Sequence, residues 1–182
     1  MKTLKPTSIL FGAFTLASLM SGGCMLQVEA DVPEVDITQH DVVFQGVPAP
    51  VSTNVGDVSL TQSFSQQHQR LELPAGLTTE VKAMGVTLTA KSGVENFDFL
   101  KNMRVTMSDG VHDPVELVAY ERVDGAPSTN VLTVESANPV NTLDEWKTDK
   151  ATFTLEVAGG LPSGDWSLDV SVRFAGKLVY NY

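Results

Sequence analysis

The most regular pattern in the chain is an alternation of apolar and polar side chains near the C-terminus. Between residues 165 and 174 the apolar positions are Trp166, Leu168, Val170, Val172 and Phe174, each followed or preceded by a polar residue. A period of two predicts a β-strand with one buried and one solvated face. The same period appears at 152–157 and 178–182. We therefore predict three antiparallel strands in series, joined through residues 159–164 and turned at Ala175-Gly176.

Weaker alternation recurs upstream, and it extends the prediction to most of the chain. It covers residues 58–65, 71–73, 84–90 and 103–107, while 115–123 and 131–134 predict strands whose buried face the pattern does not define. Asp109-Gly110 and Asp124-Gly125 supply turn signals between strands. Eight or nine strands at this spacing predict an all-β fold, a single antiparallel β-sandwich that is Ig-like or jelly-roll-like. A closed barrel is the alternative.

Helical signals are confined to two capping boxes of the form Ser/Thr-x-x-Glu. They lie at Ser92 to Glu95 and at Thr142 to Glu145, and each predicts a short helical turn. Neither is followed by a long apolar pattern with a period of 3.6. The sequence therefore predicts no sustained helix.

The N-terminus has a different pattern. Lys2 and Lys5 precede a twelve-residue apolar run, 9–20, which leads into Ser21-Gly22-Gly23-Cys24. A transmembrane helix needs about 20 apolar residues, so the run fits the hydrophobic region of a signal peptide better than a permanent span. Cys24 is the only cysteine in the chain, so an intrachain disulfide is excluded.

This stretch resembles the lipobox of bacterial lipoproteins, in which small residues precede an invariant cysteine. The resemblance implies that Cys24 carries a diacylglyceryl group, that cleavage falls between Gly23 and Cys24, and that the new N-terminus can be acylated, for example with palmitate. Ser21 departs from the pattern, because the family usually has leucine there. Met25 is not the aspartate associated with inner-membrane retention, which implies the outer membrane. An ordinary secretory signal cut at the same bond is the alternative, and it would leave a soluble periplasmic or secreted protein.

Three segments follow from these patterns. Residues 1–23 are predicted to be the signal peptide, 24–33 the lipidated cysteine with an acidic tether, and 34–182 the sandwich domain. The tether prediction depends on the acidic residues between 29 and 36, which would repel one another and extend the chain.

Charge excludes one class of partner. The chain has a formal charge of −10, and its lysines are scattered. Nucleic-acid binding needs clustered Lys and Arg, so we expect no nucleic-acid partner and no electrostatic docking on anionic lipid. The membrane is expected as a partner only through the lipid anchor.

Candidate catalytic and metal-binding residues are few. His40, His68 and His112 are widely spaced, which is typical of scattered surface histidines. Asp109 and Asp113 flank a tight turn and are candidate calcium ligands, although an Asp-Gly hairpin turn explains them equally. The sequence contains no G-x-S-x-G, no P-loop and no G-x-G-x-x-G, so we predict no cofactor and no enzymatic activity.

Aromatic side chains offer a candidate carbohydrate platform, since sugars stack on exposed rings. The candidates are Tyr120, Trp146, Tyr180 and Tyr182, with rings that close the sandwich edge as the alternative. Trp166 is in register with core positions and is predicted to be buried. The pattern as a whole predicts a binding or structural module at the bacterial envelope, whose partner is an envelope protein or a polysaccharide. The alternatives are a hydrolase of envelope material, with acids from distant strands, and a carbohydrate-binding surface lectin or adhesin.

Overall fold

The architecture comes from a computed structural model, which describes residues 27–48, 58–68, 72 and 77–181. These residues form strands and one short helix. The elements are β1 (Gln27–Phe44), β2 (Val58–Gln67), β3 (Leu77–Ser92), β4 (Leu100–Ser108), β5 (Val115–Glu121), β6 (Val131–Glu135), α1 (Leu143–Trp146), β7 (Lys150–Gly159) and β8 (Trp166–Asn181).

The strands form two four-stranded sheets. Sheet A has the order β1-β8-β3-β6 and sheet B the order β2-β7-β4-β5. Every strand pair between named strands is antiparallel. The predicted all-β sandwich is therefore confirmed, with two separate sheets in place of a closed barrel.

The inward-facing side chains of both sheets form one hydrophobic core. In β7 the pattern is fully regular, with alternate residues Ala151, Phe153, Leu155 and Val157 buried. Trp166 begins β8 and is 1% exposed, which confirms its predicted burial. Its ring stacks on Phe44 of β1 with a centroid distance of 4.3 Å, and Phe99 meets it edge-on at 5.2 Å.

The predicted series of three C-terminal strands is wrong in two respects. β8 runs through Ala175-Gly176 without a turn, and it pairs with β1 and β3, whereas β7 belongs to the other sheet. Gly176 lies opposite Val32 of β1 and Val81 of β3, and a Cβ there would sit 3.0 Å from the Val32 side chain. Glycine inside a strand marks such a close approach as often as a bend.

β1 begins before its predicted start near residue 34. Residues 27–32 pair with residues 176–181 of β8, so these positions are strand and not tether. Residues 77–81 of β3 flank the same part of β8. We call this three-stranded extension of sheet A the ribbon. Its acidic residues are held by a basic neighbour on β8, because Lys177 pairs with Glu29.

The local turn signals are largely confirmed. Gly110 and Gly125 have φ values of 81° and 77°, a backbone conformation that glycine adopts without steric cost. The capping box at Thr142 does begin α1, although the Thr142 hydroxyl donates to the Val81 carbonyl and does not cap the helix. The box at Ser92 begins no helix, because Ser92 ends β3 and its hydroxyl lies 2.8 Å from that of Ser167.

Candidate functional site

A shallow groove of about 500 Å³ lies on the outer face of sheet B. Two rows of outward-facing residues cross the strands at this point. One row joins Glu156 of β7, Arg104 of β4 and Ala119 of β5, and the next joins Ala158, Asn102 and Glu121. Ser59 of β2 extends the second row. We call this surface the sheet B groove.

The sheet B groove exists because its outward-facing side chains differ in size. Alanine at 119 and 158 and serine at 59 leave low positions between longer neighbours. Arg104 and Glu156 stand beside them and form a charged wall. Because all of these residues project from a paired sheet, the backbone beneath the groove is fixed, and a ligand would meet a preformed surface.

The electrostatics of the groove favour a basic ligand. Arg104 is the cation among its lining residues, and its Nε lies 3.1 Å from Oε2 of Glu116, which neutralises much of its charge. Glu121 and Glu156 line the groove in addition. Their Cα atoms lie roughly 12 Å apart, as two strand spacings and two residues of rise require. This spacing suits two separate contacts to an extended ligand.

The candidate calcium ligands do not converge. Both oxygens of Asp109 serve its own turn: Oδ1 accepts from the backbone N–H groups of His112 and Val111 at 2.8 and 2.9 Å, and Oδ2 lies 2.8 Å from Nδ1 of His112. Asp113 is exposed. Across the described residues no three His, Cys, Asp or Glu side chains gather as a metal site requires. The Asp-Gly turn accounts for these residues.

The Asp109–His112 pair shifts both pKa values. The hydrogen bond from the His112 backbone N–H does most to lower the pKa of Asp109 to about 2, and the Asp109 carboxylate in turn raises the pKa of His112. Asp109 therefore stabilises the turn above pH 3.8 and loses this effect as the pH falls through about 2. The contribution of His112 is complete below pH 6.5 and is lost as the pH rises through its raised pKa.

We expect Asp109→Asn to lower the pKa of His112, because it removes the carboxylate that accepts from the imidazolium. NMR titration of the His112 ring protons measures this directly. Asp113→Asn is the matched control and should change the titration far less, because Asp109 is the main cause of the shift and accepts directly from the ring. Equal titration curves for both variants would contradict the assignment.

A second histidine–acid pair lies at a bulge in β1. Nδ1 of His40 is 3.0 Å from Oδ2 of Asp169, which also pairs with Lys91 at 3.3 Å. Oδ1 of Asp169 accepts from the backbone N–H of Asp41, whose φ of 53° is unusual for a residue other than glycine. The register between β1 and β8 shifts here, so Asp169 holds the bulge in place. Neither pair lies in the sheet B groove.

The candidate aromatic residues do not form one platform. Trp146 is half-buried: it packs edge-on against Phe174 at 5.2 Å, and its indole N–H donates to the Thr142 hydroxyl. Tyr120 lies opposite Met103 and is one of the residues that line the sheet B groove, several residues along the sheet from Phe153, the partner of Phe174. Tyr180 lies on the ribbon, and Tyr182 falls outside the described residues. The alternative prediction, rings that close the sandwich edge, describes Trp146.

Sequence reasoning named one residue that lines the sheet B groove, Tyr120, but it did not predict the groove or its charged residues. Arg104 and Glu156 occupy polar positions in the alternating patterns of their strands. They are adjacent only because β4 and β7 are neighbours in the sheet, and the sequence of either strand alone does not predict this pairing. Cys24 and the predicted cleavage site lie outside the described residues. Within residues 27–181, as far as they are described, no helix is long and apolar enough to cross a membrane.

No protein-family model matches the chain, and no curated protein matches it.

Proposed function

We propose that this protein is a lipid-anchored β-sandwich of the bacterial envelope that binds a partner through the sheet B groove. Two features of the sequence support the anchor: the small residues before Cys24 resemble a lipobox, and the chain contains no other cysteine. Attachment to the outer membrane, through Cys24 after cleavage at Gly23, is part of the proposal. Two or three acyl chains would hold the protein firmly, whereas one chain holds marginally.

The position of β1 supports a short link between the lipid anchor and the sandwich. Gln27, the first residue of β1, comes three positions after Cys24, and an extended chain covers at most about 3.6 Å per residue. A lipidated Cys24 would therefore keep the tip of the ribbon within about 11 Å of the bilayer surface. Val28 and Val32, which are 44% and 36% exposed on this part of β1, would then lie near the lipid.

The groove supports a binding role because it lies on paired strands and carries charged side chains. Its acidic residues, Glu121 and Glu156, are complementary to lysine or arginine side chains, so we propose a basic segment of an envelope protein as the partner. Polysaccharide binding has less support, because the aromatic candidates lie apart. A charge at the rim of such a surface mainly affects association and its salt dependence.

The test is affinity capture from detergent-solubilised envelope with three forms of the protein. Glu156→Lys replaces an acid in the groove, while Glu135→Lys makes the same change on the exposed edge of sheet A. We expect the wild-type protein and the control to recover the same partner, and Glu156→Lys to recover at least about tenfold less, as repulsion at the contact requires.

Equal recovery by all three forms, or no partner recovered by any, would contradict the proposed role of the groove. Circular dichroism and thermal melting of each variant would show that the fold is retained. We expect small changes in stability, because Glu156 projects outward from a paired strand and the exposed ion pair that Glu135→Lys removes, with Arg173, contributes little.

A further inference from the structure

Among the strands that the structure describes, four lie at sheet edges, and three of these four are protected. The edges of sheet A are β1 and β6, and those of sheet B are β2 and β5. β1 carries acidic residues, Pro33 and two register shifts, β5 carries two glutamates, and β6 has only five residues. Charges, proline, bulges and short length are the devices by which proteins prevent edge strands from pairing with another chain.

β2 has none of these devices. Its ten residues, VSLTQSFSQQ, include no charge and no proline, although the chain carries a net charge of −10. It pairs with β7 over its whole length without a register shift. Among the described strands β7 is its one hydrogen-bonded neighbour, so β2 presents a straight, neutral edge of backbone N–H and C=O groups.

The inward side chains of β2 are incompletely covered. Leu60 and Phe64 pack on the hydrophobic core but are only partly buried at the side of the sandwich. On the outward face, the hydroxyls of Ser63 and Ser65 lie 2.9 Å from those of Thr154 and Thr152 on β7. A strand added beside β2 would cover the two apolar side chains and extend the row of hydroxyls.

We infer that the occupant of this edge is β2 of a second copy of the chain, paired antiparallel about a twofold axis at Gln62. In an antiparallel pair, residues directly opposite each other project from the same face of the sheet. The twofold axis of a strand that pairs with its own copy must therefore pass at a residue and not between two residues. Gln62 and Ser63 are the two residues nearest the middle of β2. Only the register centred on Gln62 places Leu60 opposite Phe64 of the second copy. It also places Thr61 opposite Ser63 and Ser59 opposite Ser65, all small hydroxyl side chains.

The resulting interface joins two four-stranded sheets into one of eight strands. Residue i contacts residue j of the second copy and j contacts i, as an isologous twofold interface requires. The groove borders this edge, because Ser59 lines it and Glu156 lies opposite Thr61, but the pairing uses the backbone edge of β2 and none of the charged residues of the groove. The pairing is also independent of lipid attachment.

The test compares two double substitutions in the full chain, extracted in detergent, by multi-angle light scattering over a dilution series. In T61D/S63D, acids face acids across the axis, and we expect the dissociation constant to rise about tenfold or more, because like charges directly opposite repel. In T61D/S63K, each acid faces a lysine of the second copy, so we expect the wild-type dimer mass to persist.

The two variants are closely matched. Both carry the same change at position 61, which lies beside Glu156 of β7 in either case, and Thr61 and Ser63 are exposed. Both variants also carry the same N-terminus. If two chains entered one detergent micelle through their anchors, the measured mass of both variants would change equally. A wild-type mass of one chain at every dilution would overturn the inference, and so would equal dissociation constants for the two variants.

Discussion

Replacing Trp166 with alanine is expected to lower the free energy of unfolding by about 3–5 kcal/mol, the range for large aromatic residues removed from a packed core. Trp166 is 1% exposed, and it holds Phe44 of β1 and the ring of Phe99 around the start of β8. The loss combines the transfer free energy of the indole with the cavity that the paired strands cannot fill. Urea denaturation followed by circular dichroism measures it.

Trp146→Ala is the matched control, because Trp146 is the second tryptophan of the chain and is half-buried at the edge of the sandwich. We expect it to cost less than half as much, since the indole keeps contact with solvent and packs mainly on Phe174 and His68. Equal losses for the two variants would contradict the difference in burial between Trp166 and Trp146.

Cys24→Ser is expected to move the protein almost entirely from the membrane fraction to the soluble fraction or to leave an uncut precursor. The proposed anchor depends on the thiol, since a serine hydroxyl cannot form the thioether, and each buried CH₂ of an acyl chain contributes about 0.8 kcal/mol to membrane binding. Fractionation of cells that express the wild-type and variant chains, followed by immunoblotting, measures the change.

Ser21→Leu is the control for that experiment. It introduces the residue that lipoboxes usually carry at this position, and we expect it to preserve membrane attachment. If Cys24→Ser leaves a cleaved protein in the membrane fraction, the lipid at Cys24 does not hold it there.

The fold class could be predicted because a half-buried strand leaves a period of two in its own sequence. In β7 this period holds without interruption, and in β4 it holds from Met103 onward, where Met103, Val105 and Met107 are buried as their alternation predicts. In β5 the pattern fails because Leu117 and Val118 are both buried beside a register shift. This explains why the sequence did not define its buried face.

Strand ends and pairing could not be predicted, because they depend on residues far apart in the chain. Ala175-Gly176 has the composition of a turn, but Val32 and Val81 occupy the space beside Gly176 and the strand continues. Residues 27–32 look like a solvated tether until Lys177 provides a partner for Glu29. Neither contact can be predicted from the residues next to it in the sequence.

The candidate site was predictable to a smaller degree. The Asp109 turn follows from its own sequence, whereas the sheet B groove joins residues of β2, β4, β5 and β7, and its form depends on strand order. The aromatic candidates show the same limit. Spacing could not reveal that Trp146 packs on Phe174, nor that Tyr120 lines the sheet B groove.

Mass spectrometry of the N-terminal peptide of the protein, isolated from membranes, tests the central claim most directly. The lipid-anchored account predicts a peptide that begins at Cys24 and carries a diacylglyceryl thioether on the sulfur. A peptide that begins at Cys24 with a free thiol, or a chain that still begins at Met1 without lipid, would contradict it.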